Sequence, residues 1–151
     1  MKQLKDKLYT YCQNWIDEKI KLAQSTIDNA QSSANEETKS SAGDKYETGR
    51  AMAQLEVEKG SLQLAEANKL RSLMNLLSAP TTSNTTIVLG SLVRTDKDWF
   101  YISVSAGKVV IDDHSIICLS SISPLGTQMM GLSKGQNFIF NKLTFAIEDI
   151  F

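Results

Sequence analysis

Apolar residues in the first half of the chain recur every three or four positions, which is the spacing of one face of an α-helix. The first run contains Leu4, Leu8, Tyr11, Trp15, Leu22 and Ile27, and the second contains Met52, Leu55, Leu62, Leu70, Leu73 and Leu77. Glu, Lys and Gln fill most of the other positions. The pattern predicts two long amphipathic helices that bury these two stripes.

The segment between the two runs, 32–44, has almost no large apolar side chains, and Gly43 suits a chain reversal. Two helices of roughly 30 residues joined there would form an antiparallel coiled-coil hairpin about 45 Å long over residues 1–78. We expect so long a hairpin to extend its turn into solvent or a partner. The alternative is that the helices fold back as half of a compact bundle.

The second half of the chain changes to short runs of β-branched and aromatic residues. Pro80 and a Thr/Ser/Asn stretch mark a linker at 79–86, and the runs follow at 87–89, 99–104, 108–111, 115–119, 138–140 and 143–147. Turn signals occur at 96–98, 106–107, 112–113 and 141–142. Residues 87–151 should form a mostly antiparallel sheet of about five strands, with a short helix near 126–132, so the fold class is α+β.

Charge, cysteine content and hydropathy limit the classes of function and the cellular location that we expect. A net charge of -1 gives no basic field for direct, sequence-independent binding of nucleic acid. The chain has two cysteines, Cys12 and Cys118, in apolar surroundings, which fits a reducing compartment. It begins with a polar helix and has no run of about 18 apolar residues. We therefore expect a soluble, cytoplasmic protein with no membrane contact.

The acids of the tip segment (36–47) are the strongest candidate for chemistry. Asp44 and Glu47 are three residues apart at the start of the second helix, so their carboxylates share one face, and Glu36 and Glu37 precede them. Two hard oxygen ligands suit Mg²⁺, which keeps several waters of its own. The structural alternative is a helix-capping pair that satisfies free backbone amides.

The other reactive residues form no catalytic pattern. His114 is the single histidine, and we expect it in an exposed loop. Neither cysteine has a basic neighbour that would make it a nucleophile. A serine-nucleophile elbow and a phosphate-binding loop are both absent from the sequence.

The segment 123–136 has a simple structural interpretation. Ser123 and Pro124 should start a helical turn, Leu125 and the two following methionines should pack inward, and Gly131 and Gly135 should end it.

The same segment resembles the signature of the C-terminal domain of Gre-type transcript cleavage factors. The matching residues are Ser123, Pro124, Leu125, Gly126, Met129, Met130, Gly131, Lys134 and Gly135, with Gln136 where Asp is common. The tip sequence from Gly43 to Glu47 is similar to the family's Gly-Asp-x-x-Glu pattern, and 48–51 replaces a usual Asn-Ala-Glu-Tyr stretch. The resemblance covers essentially the whole chain and is closest to a divergent branch associated with Bacteroidetes.

The resemblance implies an N-terminal coiled-coil hairpin and an FKBP-like C-terminal domain, in an accessory factor of bacterial RNA polymerase. The hairpin would enter the secondary channel, where Asp44 and Glu47, with Glu36 and Glu37 as further candidates, would hold a Mg²⁺ shared with the polymerase and stimulate cleavage of backtracked RNA. The docking residues would be Ser123, Pro124, Leu125, Gly126, Gly131 and Gly135.

The factor would not itself be an enzyme, would have no intrinsic cofactor, and would act as a monomer. It would meet nucleic acid through the elongation complex, with Lys39, Lys45 and Arg50 attracting the RNA. Two alternatives stay open: a regulatory or inhibitory channel binder that does not promote cleavage, and a generic coiled-coil scaffold. A prolyl isomerase has little support because a fold does not determine function, and a condensing enzyme would need more than one histidine.

Overall fold

The structure, a computed structural model, describes residues 1–37, 43–77 and 85–151. Its helices are α1 (Lys2–Glu37), α2 (Gly43–Leu77) and α3 (Pro124–Met129). Its strands are β1 (Leu92–Thr95), β2 (Trp99–Ser103), β3 (Gly107–Ile111), β4 (His114–Ser120), β5 (Asn137–Phe140) and β6 (Leu143–Ile150). The fold class is α+β, as predicted. The linker predicted at 79–86 lies outside the described residues except for Thr85 and Thr86.

The described residues form two compact units. A helical unit contains Trp15–Arg71, and a sheet unit contains Met1–Asn14 together with Ser72–Phe151. Among the described helices, none has both the length and the apolar character required to cross a membrane.

The helical unit is an antiparallel pair formed by α1 and α2, as predicted. Arg71 forms an ion pair with Asp17, and farther along α1 the backbone of Gly60 lies against Ile27. Residues later in α1 thus contact residues earlier in α2, so the two helices are antiparallel. The two helices have 36 and 35 residues, so each is roughly 50 Å long.

The residues between the paired helices differ from the predicted stripes. Within the helical unit the buried residues are Ile16, Ala23, Ile27, Ala30, Ala53, Gly60 and Ala67. The predicted stripe residues Leu22, Met52, Leu55 and Leu62 are between 64% and 71% exposed. The prediction was wrong there because the helices approach closely, and a close interface accepts small side chains and excludes large ones. Burial on α2 instead recurs every seventh residue, a coiled-coil spacing.

The sheet has six strands in the order β3-β4-β2-β1-β6-β5. All neighbours are antiparallel except β2 and β4, which are parallel, so the sheet is mostly antiparallel, as predicted, with six strands instead of about five. The turns at 96–98, 112–113 and 141–142 join neighbouring antiparallel strands, as predicted. The turn at 106–107 does not, because β4 lies between β2 and β3. The central strand β2 is buried at four of its five positions, and this requires paired strands on both sides.

The predicted strand at 87–89 does not form. Ile87 is fully buried, but its backbone bonds to the loop that follows α3, donating to the Leu132 carbonyl at 2.8 Å and accepting from the Gly131 N–H at 2.8 Å. The chain then turns at Gly90, whose φ is 89°, and β1 begins at Leu92. The apolar run at 87–89 correctly predicted a buried residue, but the prediction of a strand there was wrong.

The sheet buries both of its faces. The core on one face contains Ile87, Val93, Phe100, Ile102, Leu119, Met129, Phe138, Phe145 and Ile147. Because side chains alternate along a strand, Tyr101, Ser103 and Cys118 point to the other face. The first residues of α1 cover that face: Cys12 Sγ lies 3.5 Å from Ser103 Oγ, and Lys5 Nζ donates to the Phe151 carbonyl at 3.1 Å.

Candidate functional site

The predicted tip acids lie at the facing ends of α1 and α2. Glu36 is in the last turn of α1 and Glu47 is the fifth residue of α2, and both are exposed. Asp44 is the second residue of α2, so a helical backbone joins it to Glu47 at a spacing that places both on one face. The side chains of Glu37 and Asp44, and residues 38–42, lie outside the described part of the chain.

The helix ends affect these acids differently. Glu47 is the fifth residue of α2, past the first turn in which the helix dipole stabilises a carboxylate. Glu36 stands at the carboxyl end of α1, where the dipole opposes a negative charge. Helix capping therefore accounts for neither of these two exposed acids.

An open groove of about 300 Å³ lies beside these acids in the helical unit. Its lining residues are Ala30, Ser33, Gly49, Met52, Ala53, Leu55 and Glu56. Met52 and Leu55 are each 64% exposed, so the acidic region adjoins two large apolar side chains that are accessible to a partner. Exposed apolar groups of this size often mark contact surfaces.

The tip acids alone would make a weak metal site. Within the described ranges, no three His, Cys, Asp or Glu side chains are grouped so that they could hold a metal ion. Two carboxylates are a usual protein contribution to Mg²⁺ when waters or phosphate oxygens complete its shell. Binding of a metal by Asp44 and Glu47 together with a partner stays a prediction, as does the absence of an intrinsic cofactor.

The predicted docking segment begins with a capped helix. Ser123 Oγ accepts a hydrogen bond from the Gly126 N–H at 3.1 Å and donates one to the Ser120 carbonyl at 2.7 Å. Pro124 is the first helical residue, where a missing N–H costs nothing. The short helix therefore forms from Pro124 to Met129: its start at Ser123 and Pro124 is as predicted, and it ends before the predicted 132.

The glycines of this segment have distinct structural functions. A Cβ on Gly126 would overlap the Ser120 carbonyl oxygen, so α3 packs on the end of β4 only with glycine there. Gly131 and Gly135 have φ values of 79° and 87°, and the Gly135 N–H donates to the Ile147 carbonyl at 2.8 Å. These backbone requirements explain why glycines occur at these three positions. Contact of the segment with a polymerase stays a prediction.

His114 was expected in an exposed loop, and this was wrong. It is the first residue of β4 and is half-buried. Its ring packs edge to face on Trp99 with the ring centroids 4.8 Å apart, and Nδ1 lies 2.7 Å from the Asp112 carbonyl oxygen. These contacts are consistent with a structural role for His114 in packing the start of β4.

The sequence interpretation missed the proximity of Cys12 and Cys118. Both are buried in the sheet unit, and Cys12 Sγ lies 3.5 Å from the Oγ of Ser103, which shares a sheet face with Cys118. Their long separation in the chain conceals this contact. The available signal was the alternation along β4, which places Cys118 on the face opposite Ile117 and Leu119.

No protein-family model matches this chain. No curated protein matches it either.

Proposed function

We propose that this protein is an accessory factor of bacterial RNA polymerase that inserts its helical hairpin into the secondary channel and stimulates cleavage of backtracked RNA. One observation carries the proposal: an exposed Glu47 follows Asp44 by three residues in the first turns of α2, where a hairpin of two helices of 36 and 35 residues reverses. A long pair of helices with acids where the chain reverses is thin enough to carry those carboxylates into a narrow channel.

The proposed chemistry is hydrolysis of a phosphodiester bond with two metal ions. The polymerase supplies the RNA and a resident Mg²⁺, and the factor brings Asp44 and Glu47 as ligands for a second Mg²⁺. Together the ions would stabilise the attacking and leaving oxygens. The factor is not an enzyme by itself in this scheme, since the catalytic centre belongs to the polymerase.

The sheet unit supplies docking in this proposal and has an FKBP-like fold. The residues proposed for contact are Ser123, Pro124, Leu125, Gly126, Gly131 and Gly135. Ile122, 85% exposed next to this segment, offers an apolar contact. The hairpin pairs its apolar interface within one chain, which supports a monomer. A factor of bacterial RNA polymerase would act in the cytoplasm.

A regulatory channel binder that does not promote cleavage is the second candidate. Two observations favour it. Residues 48–51 depart from the family's Asn-Ala-Glu-Tyr stretch, and the groove lined by Met52 and Leu55 adjoins the acids. An apolar contact there could hold the hairpin in the channel without completing a metal site.

Site-specific photocrosslinking tests the shared part of both candidates. A photoreactive residue at exposed Thr48 should crosslink to the active-centre region of the polymerase or to the RNA 3′ segment in a stalled elongation complex. The same residue at exposed Lys142, in the β5–β6 turn, is the matched control and should not. A Thr48 derivative that crosslinks to neither would exclude the secondary-channel proposal.

A further inference from the structure

The two cysteines of the chain meet inside the sheet unit. Cys12 belongs to α1 and Cys118 to β4, and they are 0% and 2% exposed. No other cysteine exists in the sequence. Any disulfide within one molecule must therefore join these two residues.

Two observations place the two thiols close together. Cys12 Sγ lies 3.5 Å from Ser103 Oγ. Ser103 shares a sheet face with Tyr101, which stands directly opposite Cys118 in the parallel β2–β4 ladder. The α1 thiol thus faces the part of the sheet that holds Cys118, and each thiol shifts the pKa of the other.

We propose that Cys12 and Cys118 form a reversible intramolecular disulfide when the protein meets a peroxide. The bond would tie the third turn of α1 to β4 across the covered face of the sheet. Bond formation requires the two sulfur atoms to approach to about 2.05 Å. This inference does not depend on the proposed polymerase function.

The two thiols have different roles in this reaction. The hydrogen bond from Cys118 lowers the pKa of Cys12, while the same hydrogen bond and burial raise the pKa of Cys118. Since the thiolate is the nucleophile, Cys12 is the sulfur that attacks the oxidant and Cys118 is the one that resolves the intermediate.

The reaction balances with hydrogen peroxide as the oxidant. The Cys12 thiolate attacks one peroxide oxygen, an S–O bond forms, the O–O bond breaks, and the leaving hydroxide takes a proton to become water. Cys12 is then a sulfenic acid. The Cys118 sulfur attacks Cys12, the S–S bond forms, the S–O bond breaks, and a second water leaves with the Cys118 proton. Two thiols are oxidised and one peroxide is reduced.

The structure also favours disulfide formation over further oxidation. Both sulfur atoms are shielded from solvent, so a sulfenic acid at Cys12 would meet Cys118 more readily than a second peroxide molecule. The two residues lie far apart in sequence, and a crosslink between distant positions restricts the unfolded chain strongly. The oxidised protein should therefore be more resistant to unfolding than the reduced protein.

The test uses the full chain, reduced and then exposed to hydrogen peroxide. Intact mass should fall by two hydrogen masses, thiol titration in denaturant should drop to zero, and the species should stay monomeric on a non-reducing gel. Peptide mapping should recover a Cys12–Cys118 linkage. The melting temperature should rise by about 10 °C, and dithiothreitol should reverse every change.

Cys12→Ser and Cys118→Ser are matched controls, each keeping one thiol. Neither should gain thermal stability on oxidation, and peptide mapping of the wild-type protein stands even where a variant fails to fold. Two free thiols after peroxide treatment, a dimer linked between chains, or sulfinic acids without the crosslinked peptide would each overturn the proposal.

Discussion

A Cβ atom placed on Gly60 would lie 2.7 Å from Cγ1 of Ile27 and 3.3 Å from the carbonyl oxygen of Ala23. The backbone of α2 therefore contacts α1 directly at this point, with no room for a methyl group. Ala23, Ala53 and Ala67 are also buried in the same unit. Small residues thus set the spacing of the hairpin at this point, and the large side chains of Leu22, Met52, Leu55 and Leu62 lie outside.

Gly60→Ala should destabilise the protein by about 1 kcal/mol. Alanine gains roughly 1 kcal/mol of helix propensity over glycine, but overpacking against Ile27 and a backbone carbonyl costs roughly 1–3 kcal/mol. Chemical denaturation measures the balance. A double-mutant cycle with Ile27→Ala is the control, because removal of Cγ1 should reduce the cost of the new methyl group. A stabilised Gly60→Ala would contradict the close contact.

The corrected stripe predicts opposite outcomes at two neighbouring turns of α1. Ile16→Ala should cost about 2–5 kcal/mol, because Ile16 is fully buried and its loss leaves a cavity. Leu22→Ala should change stability by less than about 0.5 kcal/mol, because Leu22 is 68% exposed. Urea titrations of both variants check this. Equal losses would show that the sequence-predicted stripe was the correct one.

Ser123→Ala should destabilise the sheet unit by about 1 kcal/mol, since it removes the hydroxyl that accepts from the Gly126 N–H at the start of α3. Gln128→Ala, at an exposed position of the same helix, is the control and should be nearly neutral. The melting temperatures compare the two. A Ser123→Ala protein as stable as the control would mean that the cap contributes little.

The ion pairs of Asp149 with Lys134 and Arg94 predict that the protein loses stability in acid. The hydrogen bond from Lys134 and the nearby charges of Lys134 and Arg94 lower the pKa of Asp149. A carboxyl whose folded pKa is lowered stabilises the fold above its unfolded pKa, near about 3.9, and that stability is lost as pH falls through the folded pKa. In Asp149→Asn the unfolding free energy should depend less on pH below about 4.

The control for this prediction is Asp113→Asn, at the exposed β3–β4 turn, where φ is 62° and asparagine is well tolerated. It should keep the acid dependence of the wild-type protein. An Asp149→Asn variant with an unchanged pH profile would mean that the pairing with Lys134 has no energetic effect.

Periodicity predicted the elements better than their contacts. The change from helical spacing to short β-rich runs correctly divided the described chain into two long helices and a sheet. It did not predict which helical residues meet, because hydrophobic size misleads where backbones approach closely, as at Gly60. Nor could it predict that β4 lies between β2 and β3, since strand order depends on long-range pairing. Turn residues such as Asp112 and Asp113 correctly marked local hairpins.

For the candidate sites, too, the sequence indicated local spacing but not long-range contacts. The spacing of Asp44 and Glu47 predicts one helix face because helical geometry is local, and both residues lie in α2. The contact between Cys12 and Cys118 required knowledge of which sheet face α1 covers. No pattern within either segment carries that information.

The central claim is tested most directly by RNA cleavage in a stalled, backtracked elongation complex of the polymerase from the same organism, at fixed Mg²⁺. Addition of the protein should release short 3′ RNA segments. Asp44→Asn with Glu47→Gln, which keeps size and removes charge, should abolish release, while Glu58→Gln, elsewhere on the exposed surface of α2, should not. Binding with unchanged transcripts, or cleavage that survives loss of both carboxylates, would contradict the proposed function.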